Sequence, residues 1–563
     1  MTPYESLIQI LESFELSLGN PFDDNSPVSF EQILLADEQE VLAWSQIELI
    51  QQWGYMDYTI PYYLGGRLNS LDEIYTLTKL LARRDITIAI MFGLAFFASL
   101  PIWIAGNPEQ KKLLSERLRK GEIGALALTE EEHGTDLASN KMNAKPFGDG
   151  WEISGRKWCV NFATLGEYAV VLCRRNDKGG LLGFSLFYID KKSIEKGISP
   201  IPKLPTHGVR GLDISGFSFD QVKVSKDALI GKEQRGLEIT YKVFQISRTL
   251  CACLAVGGAD TALRLALSYS LQRQLYGKPV FEIPVVKQRL GELFTLLLIA
   301  DCTAHVMVRA CTVMPGKMSL WSAIIKFLIP HIGEDIVEQC AIILGARAYL
   351  RTTEWAIFQK IRRDIQVVGL FDGSTQVNLS LIAGNLLPQA GMRGKKPLGH
   401  YDKLEQIFNI HLSCPRFEED NLGLFTHEED DVFAGIMHLN SAPINSLITA
   451  IRHEIEKLDQ EVVHLRDLKL FDPRSLTVFR LAEKYCWIFA ASCCLQFWHY
   501  NQGSLSDDLK NTDWLHLAMQ LILKRLNSGQ MIDSVLQEAM SDRLYSCLRK
   551  NQLFSVIPIN IAG

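Results

Sequence analysis

The chain is 563 residues long, 47% apolar and 22% charged, too long for one compact core and ordinary for a folded globular protein. With 58 Lys+Arg against 64 Asp+Glu the net charge is −6, and no block of five like charges occurs, so the basic footprint of a nucleic-acid or anionic-membrane binder is missing. Twelve cysteines without a CxxC pair exclude a zinc ribbon and a disulfide scaffold, and the start lacks a cationic segment followed by an apolar one, so a reduced, cytoplasmic chain is expected.

The apolar period changes along the chain. Over 31–121 it is helical: Leu71, Ile74, Leu77 and Leu80 fall on one face of the stretch 71–84. Residues 86–106 carry no charge and are long enough to cross a bilayer, but Ser99 and Pro101 interrupt them and a buried helix is expected. From 125 to 231 the pattern turns strand-like, with runs at 151–162, 168–174, 183–190 and 214–224 separated by turns such as GDG at 148–150 and NDKGG at 176–180. The helical period returns at 237, with candidate helices over 240–273, 285–312, 318–345 and 350–368.

After Pro388 a Gly/Lys linker runs to 400, and acidic clusters follow at 418–420 and 428–431. Ile444, Ile448, Ile451, Ile455, Leu458, Val462 and Leu465 then alternate steps of four and three, a seam suited to packing on another helix. Four units are expected: a helical domain over 1–123, a middle β-domain over 124–235, a helical bundle over 236–390 and a separate all-α extension over 391–563. In the last, the Cys/Trp-rich stretch 485–500 reads as core, with an amphipathic contact to a membrane as the alternative.

The common cofactor signatures GxGxxG, GxxxxGK[ST], HExxH and GxSxG are all missing. The segment ALALTEEEHGTD at 125–136 sets hydroxyl, glycine and N–H groups at the edge of the β-domain, where they suit a planar heterocycle or a diphosphate, or form an acidic surface loop. The segment RRDIQVVGLFDGSTQ at 362–376 ends one helix and opens another through Asp372-Gly373-Ser374. Asp before Gly is commonly a turn or cap residue. With Leu370 and Phe371 beside it, a carboxylate on apolar surface has its pKa raised towards that of a working base.

Taken in order, five stretches resemble the acyl-CoA dehydrogenase family of flavoproteins over 31–388. They are GEIGALALTE at 121–130 with HGTD at 133–136; GWEISGRK at 150–157; the run 208–224 with Ile230-Gly231; the run 248–279, ending YSLQRQLYGKP; and Arg363-Asp364 with LFDGSTQV at 370–377. The resemblance implies a mostly α fold with a central β-barrel-like domain: N-terminal helices, the β-domain, then a four-helix bundle, with FAD between the last two. It also implies an oligomer, because in the family a neighbouring subunit completes each FAD site. The extension resembles in placement those of very-long-chain dehydrogenases and acyl-CoA oxidases, which take the space of a second dimer, so a homodimer is expected.

Carried over position by position, Thr129, Gly134 and Thr135 would meet the flavin, Thr135 also the acyl thioester, and Cys159, Val160 and Asn161 would form the flavin-facing strand. Arg273 and Tyr276 would meet the FAD phosphate and adenine, Gly345 and Ala346 its ADP half, and Ser374 and Gln376 would approach it from the helix after the base. Phe244, Gln245 and Arg248 would line the substrate, and Gly373 would give the thioester carbonyl backbone access. Asp372 would take the α-proton as a hydride passes to flavin N5. No metal is implied.

Three departures bear on this. Asp372 stands where most members have Glu, one methylene longer. Trp158 is displaced by one from the family's flavin-facing Trp, which strict strand alternation turns to the opposite face. Gln245 replaces an acidic residue on the CoA side, so a carrier-protein arm competes with free CoA. The expected activity is FAD-dependent α,β-dehydrogenation of an acyl-CoA or acyl carrier protein thioester, with an electron acceptor flavoprotein or O2 taking the electrons. A flavin-dependent oxidase or monooxygenase and a non-catalytic scaffold are the alternatives.

Overall fold

Helix starts follow their caps. Thr2 and Asn107 each close a capping box and each is followed by Pro, opening helices Pro3–Leu18 and Pro108–Arg119. The first of these precedes the stretch where the helical period was expected to begin. The computed structural model describes residues 2–175, 180–393, 401–418, 422–424, 429–527 and 529–562; the turn expected at 176–179, the linker from 394 to 400 and parts of both acidic clusters lie outside these.

Asp85 ends helix Leu71–Arg84 and caps helix Ile86–Ala105, its carboxylate accepting from the Thr87 N–H at 3.0 Å. Three helical stretches among the described residues, Ile86–Ala105, Gly236–Gln272 and Pro284–Val313, are long and apolar enough to cross a membrane, and each is buried inside the fold. The uncharged run is thus a core helix, as expected.

The middle domain is one eight-stranded sheet: β1 (Gly124–Ala127), β2 (Asn143–Phe147), β3 (Gly150–Asn161), β4 (Tyr168–Arg174), β5 (Phe184–Asp190), β6 (Ile198–Ile201), β7 (Ile214–Val224) and β8 (Leu229–Ile230). The order is β6-β7-β3-β2-β4-β5-β8, with β1 parallel to β4. Both faces are buried, by alternation. In β4, Ala169, Val171 and Cys173 join a core private to this domain, while Val170 and Leu172 pack into the helical core.

Helices Gly236–Leu250, Ala252–Gln272, Pro284–Val313, Met318–Leu344 and Thr375–Met392 make the bundle. The single helix expected over 240–273 is two, joined at Cys251. Of the stretch 350–368 only Ile357–Asp364 is α-helical. Thr353 turns its hydroxyl on the Trp355 N–H at 3.3 Å, a local bond that competes with helix.

The extension is not a separate unit. Helix Asn445–Asp467 buries Ile448, Ile451, Ile455, Leu458 and Val462, the expected seam. But one apolar core runs unbroken from Leu7 to Ile561. Helix Ser534–Arg549 lies so close on Pro284–Val313 that a Cβ at Gly291 would stand 1.9 Å from the Gln537 carbonyl oxygen. Arg309 donates to the carbonyls of Gln406, Ile407, Asn409 and Leu412 at 2.7–2.9 Å. The last described residues dock on buried charges: Phe554 N–H on Asp260 at 2.9 Å, and Val556 N–H on Asp301 at 3.0 Å, itself paired with Lys79 at 2.7 Å.

Candidate active site

Two of the stretches singled out above clamp each other. The buried Glu130 carboxylate accepts from Lys157 Nζ at 3.0 Å and from the backbone N–H of Lys141 and Met142 at 2.7 and 2.9 Å. Burial opposes its charge, but Lys157 and those two N–H groups hold the carboxyl below the usual range. Lys157 also donates to the Leu128 carbonyl at 2.9 Å, and the Trp158 N–H donates to the Thr129 carbonyl at 3.1 Å. Thr129 is therefore fixed from both sides. Beyond it, Gly134, Thr135 and Asp136 are exposed on the loop.

Strict alternation in β3 fails at Trp158. The register with β7 shifts between Trp158 and Val160, and Cys159, at φ 57°, is the extra residue of a bulge. The bulge absorbs the one-residue displacement, so counting alternate positions does not assign the face of Trp158. Cys159 is exposed, Val160 returns to the interior, and Asn161 is left with a buried Oδ1 that has no hydrogen-bond partner.

The Asp372 corner is held from the other side. Asp364 accepts from the Val209 N–H at 2.6 Å and pairs with Lys360 at 2.6 Å, tying the bundle to the β-domain. From this anchor the chain turns through Ile365–Gly369 and makes a left-handed corner, with φ 54° at Asp372 and 95° at Gly373. Arg248 Nε donates to the Asp372 carbonyl at 2.9 Å. A Cβ at Gly373 would stand 3.0 Å from Arg248 Nη2, so glycine is needed there for clearance as well as for its φ. Helix Thr375–Met392 starts next, keeping Ser374 and Gln376 beside the corner. Leu370, expected to cover the carboxylate, is 68% exposed; Phe371 is the side chain that turns inward.

Phe371, Cys251 and Leu254 meet Ile90, Gly93 and Phe97 around a narrow cleft with no charged lining. Cys251 Sγ stands 3.9 Å from Asp372 Oδ2, which sets the carboxylate at this cleft. Burial and the Asp372 charge push the Cys251 thiol well up, so it stays neutral.

Lys326 went unnoticed in the sequence. It is buried, donates to the Val368 carbonyl and stands 4.8 Å from the centre of the Phe371 ring, directly beneath the corner. Burial draws its pKa down, opposed by the nearby Asp372 charge. The available signal was a lone charge in the apolar run WSAIIKFLIPHI at 321–332.

The predicted substrate residues divide. Arg248 stacks 5.1 Å from the half-buried Phe244 ring. The Tyr241 ring lies 6.4 Å from that of Phe244, and burial pushes its phenol up. Gln245 is turned to the extension: its amide donates to the Gly423 carbonyl at 2.6 Å, and its Oε1 is buried without a partner.

Arg273, Tyr276, Gly345 and Ala346 lie at the far end of the bundle. Helix Ala252–Gln272, 21 residues or about 30 Å, separates Cys251 from Arg273, so one chain does not bring Arg273 and Tyr276 to Asp372. All four are exposed, Tyr276 to 89%, and Arg273 forms no ion pair among the described residues.

Family models for the acyl-CoA dehydrogenase middle domain and C-terminal domain match residues 125–222 and 234–387. The 3-(aryl)acrylate reductase of Clostridium sporogenes (strain ATCC 15579) is 26% identical over 290 residues, 51% of this chain and 75% of that one. The mitochondrial short-chain specific acyl-CoA dehydrogenase of Homo sapiens is 24% identical over 69% of this chain and 92% of its own. Among solved structures, an acyl-CoA dehydrogenase complexed with FAD from Bacillus anthracis superposes with a TM-score of 0.73 at 18% identity, covering 98% of this chain and 92% of that one. That likeness takes in the extension and concerns the fold. Residues 125–222 and 234–387 are thus the middle and C-terminal domains of the acyl-CoA dehydrogenase family, oxidoreductases acting on CH–CH bonds.

Proposed function

We propose that the protein is an FAD-dependent α,β-dehydrogenase of acyl thioesters in which Asp372 is the base. The 3.9 Å approach of Cys251 Sγ to Asp372 Oδ2 carries this reading, because it sets a carboxylate at a charge-free cleft suited to an acyl arm. The residues present fit a flavin. Asn161 Oδ1 is a buried acceptor awaiting a donor, Thr129 is held by the Trp158 N–H of the same strand as Asn161, and Arg273, with no ion pair among the described residues, is a cation suited to a diphosphate. Thr129, the Cys159–Asn161 bulge, Ser374 and Gln376 would hold its ring side, and Arg273, Tyr276, Gly345 and Ala346 its ADP half. A flavin bound there supplies the two-electron acceptor.

The chain's own residues do the rest. Asp372 accepts the α-proton of a thioester whose acyl arm lies in the cleft, where water is excluded. Arg248 fixes the backbone of the base, Lys326 fixes the turn beneath it, and Gly373 leaves the adjacent backbone open to the thioester carbonyl.

The 30 Å separation of the two half-sites supports a homodimer in which each FAD is completed by the partner subunit. So do the side chains at that end of the bundle: Tyr276, Val285, Ile342 and Tyr349 are all more than two-thirds exposed. Gln245 removes a charge from the CoA side, so both acyl-CoA and acyl carrier protein enter the substrate screen, with an electron acceptor flavoprotein or O2 as oxidant.

The test is spectroscopic. The purified protein is expected to be yellow, to bleach anaerobically with an acyl thioester, and to stop bleaching in Asp372→Asn. A colourless protein that takes up no FAD overturns the reading.

A further inference from the structure

Helix Ile86–Ala105 supplies one wall of the cleft through Ile90, Gly93 and Phe97, and the arm that follows helix Ile357–Asp364 supplies Asp372. Wall and arm are separate stretches of chain, so covalent geometry does not set the spacing between them. The wall helix carries no charged residue, and apolar packing is non-directional. Something else must fix its height.

One buried cluster joins the two. Lys360 Nζ pairs with Asp85, the cap of the wall helix, and, at 2.6 Å, with Asp364 at the root of the arm. It also donates to Thr87 Oγ1 at 3.1 Å, and that hydroxyl donates in turn to Asp364 Oδ2 at 3.4 Å. All four residues are buried, and Thr87 stands one turn before Ile90 in the wall. Burial opposes the Lys360 charge, but Asp364, Asp85 and Asp37 outweigh it and push its pKa up, so the ammonium persists.

The joint has little slack. A Cβ at Gly258 would stand 2.9 Å from Ile86 Cδ1 and 3.7 Å from Ile361 Cγ2, so the wall helix and helix Ile357–Asp364 both close on that glycine of the bundle. A Cβ at Gly208 would overlap the Arg363 carbonyl, which presses the β-domain on the same turn. Arg363 itself donates to Asp37 at 2.6 Å and to the His207 carbonyl at 3.1 Å.

We propose that Lys360 and Thr87 are positioning residues for the dehydrogenation: their bonds fix the cleft wall against the arm, so that an acyl chain lying on the wall presents its α-carbon to the short Asp372 side chain. The inference rests on Asp372 being the base.

Anaerobic stopped-flow reduction of the flavin-loaded protein, titrated with the acyl-CoA that reduces the parent fastest, separates rate from binding. Lys360→Met should lower the limiting rate constant at least about tenfold, since a misplacement of about 1 Å costs about 10²-fold, with half-saturation and flavin content unchanged. Lys360→Arg keeps the charge and should restore most of the rate. Loss of one partner from a buried ion pair is strongly destabilising, so the isosteric Thr87→Val, which leaves both ion pairs in place, is the second variant; its limiting rate should fall about threefold or more. Both losses should shrink by at least about half in an Asp372→Glu background, where the extra methylene takes up the displacement; a cluster that only held the fold would cost the same in both backgrounds. Unchanged limiting rates in the variants that fold, or equal losses in the two backgrounds, overturn the proposal. A fast Asp372→Asn variant fails the base assignment and this inference with it, whereas a slow one beside an unchanged Thr87→Val overturns this inference alone.

Discussion

Arg248 Nε donates to the carbonyl of Asp372 at 2.9 Å, and this bond decides where the proposed base, one methylene shorter than a Glu, can reach. The guanidinium holds the backbone, not the carboxylate, so the side chain stays free towards Cys251 and the cleft while the corner beneath it is rigid.

Asp372→Asn should slow flavin reduction by an acyl thioester at least about 10³-fold, the upper range for a lost general base. Asp372→Glu adds the missing methylene at a fixed backbone and should stay within about 10²-fold of the parent. Anaerobic stopped-flow absorbance reads both, and a fast Asn variant refutes the assignment.

Arg248→Ala leaves the Asp372 carbonyl without its buried charged donor, a loss of about 1.5–3 kcal/mol for such a bond. The expected result is a fall in kcat of about tenfold to a hundredfold, with flavin content unchanged. Arg248→Lys keeps the charge without the planar fork and should fall between the two.

Gly93 lines the cleft, and a Cβ there would meet nothing within 4 Å. Gly93→Leu should therefore fold and fill the acyl space. Thioesters with short arms should keep their kcat/KM, and longer arms should lose at least about tenfold, since each excluded methylene is worth about 1–3 kcal/mol. A series of acyl-CoA chain lengths reads the shift.

Stability should depend on pH through two buried groups of opposite sense. Burial and the neighbouring Asp72 push the Glu73 carboxyl up to about 7, against Arg67. Its folded pKa lies above its ordinary 4.5, so its contribution is present at low pH and lost as pH rises towards 7. Burial pushes His305 down to about 4 from 6.5, so its contribution is present above 6.5 and lost as pH falls below it. The Tm of Glu73→Gln should consequently exceed that of the parent more at pH 8 than at pH 5.5. Equal differences at the two values exclude the effect.

Much of this was legible in the residues. The four longest β-strands of the middle domain announced themselves because turn residues punctuate them and their boundaries fell within a residue or two, whereas the shorter β1, β2, β6 and β8 were not singled out. The clamp of Glu130 by Lys157 lay behind two of the recognised stretches, and the Asp372 corner behind a third. The bulge at Cys159 was not legible, because it uses a non-glycine residue at positive φ and adds nothing to composition. The first helix was missed although Thr2, Pro3 and Glu5 spell its capping box. The docking of the extension had no local signal: a linker rich in glycine and lysine reports on the backbone it interrupts, and contacts such as Arg309 with four distant carbonyls are invisible along the chain.

The segment carrying Phe554 and Val556 supplies N–H groups to Asp260 and Asp301, which sit in helices made hundreds of residues earlier. Asn560 likewise donates to Glu12 in the first helix at 3.0 Å. During synthesis these carboxylates face a half-built interior with their final partners still unmade. Maturation of the nascent bundle must therefore wait until this segment has been made, a burden that falls on whatever shields its apolar flank in the meantime.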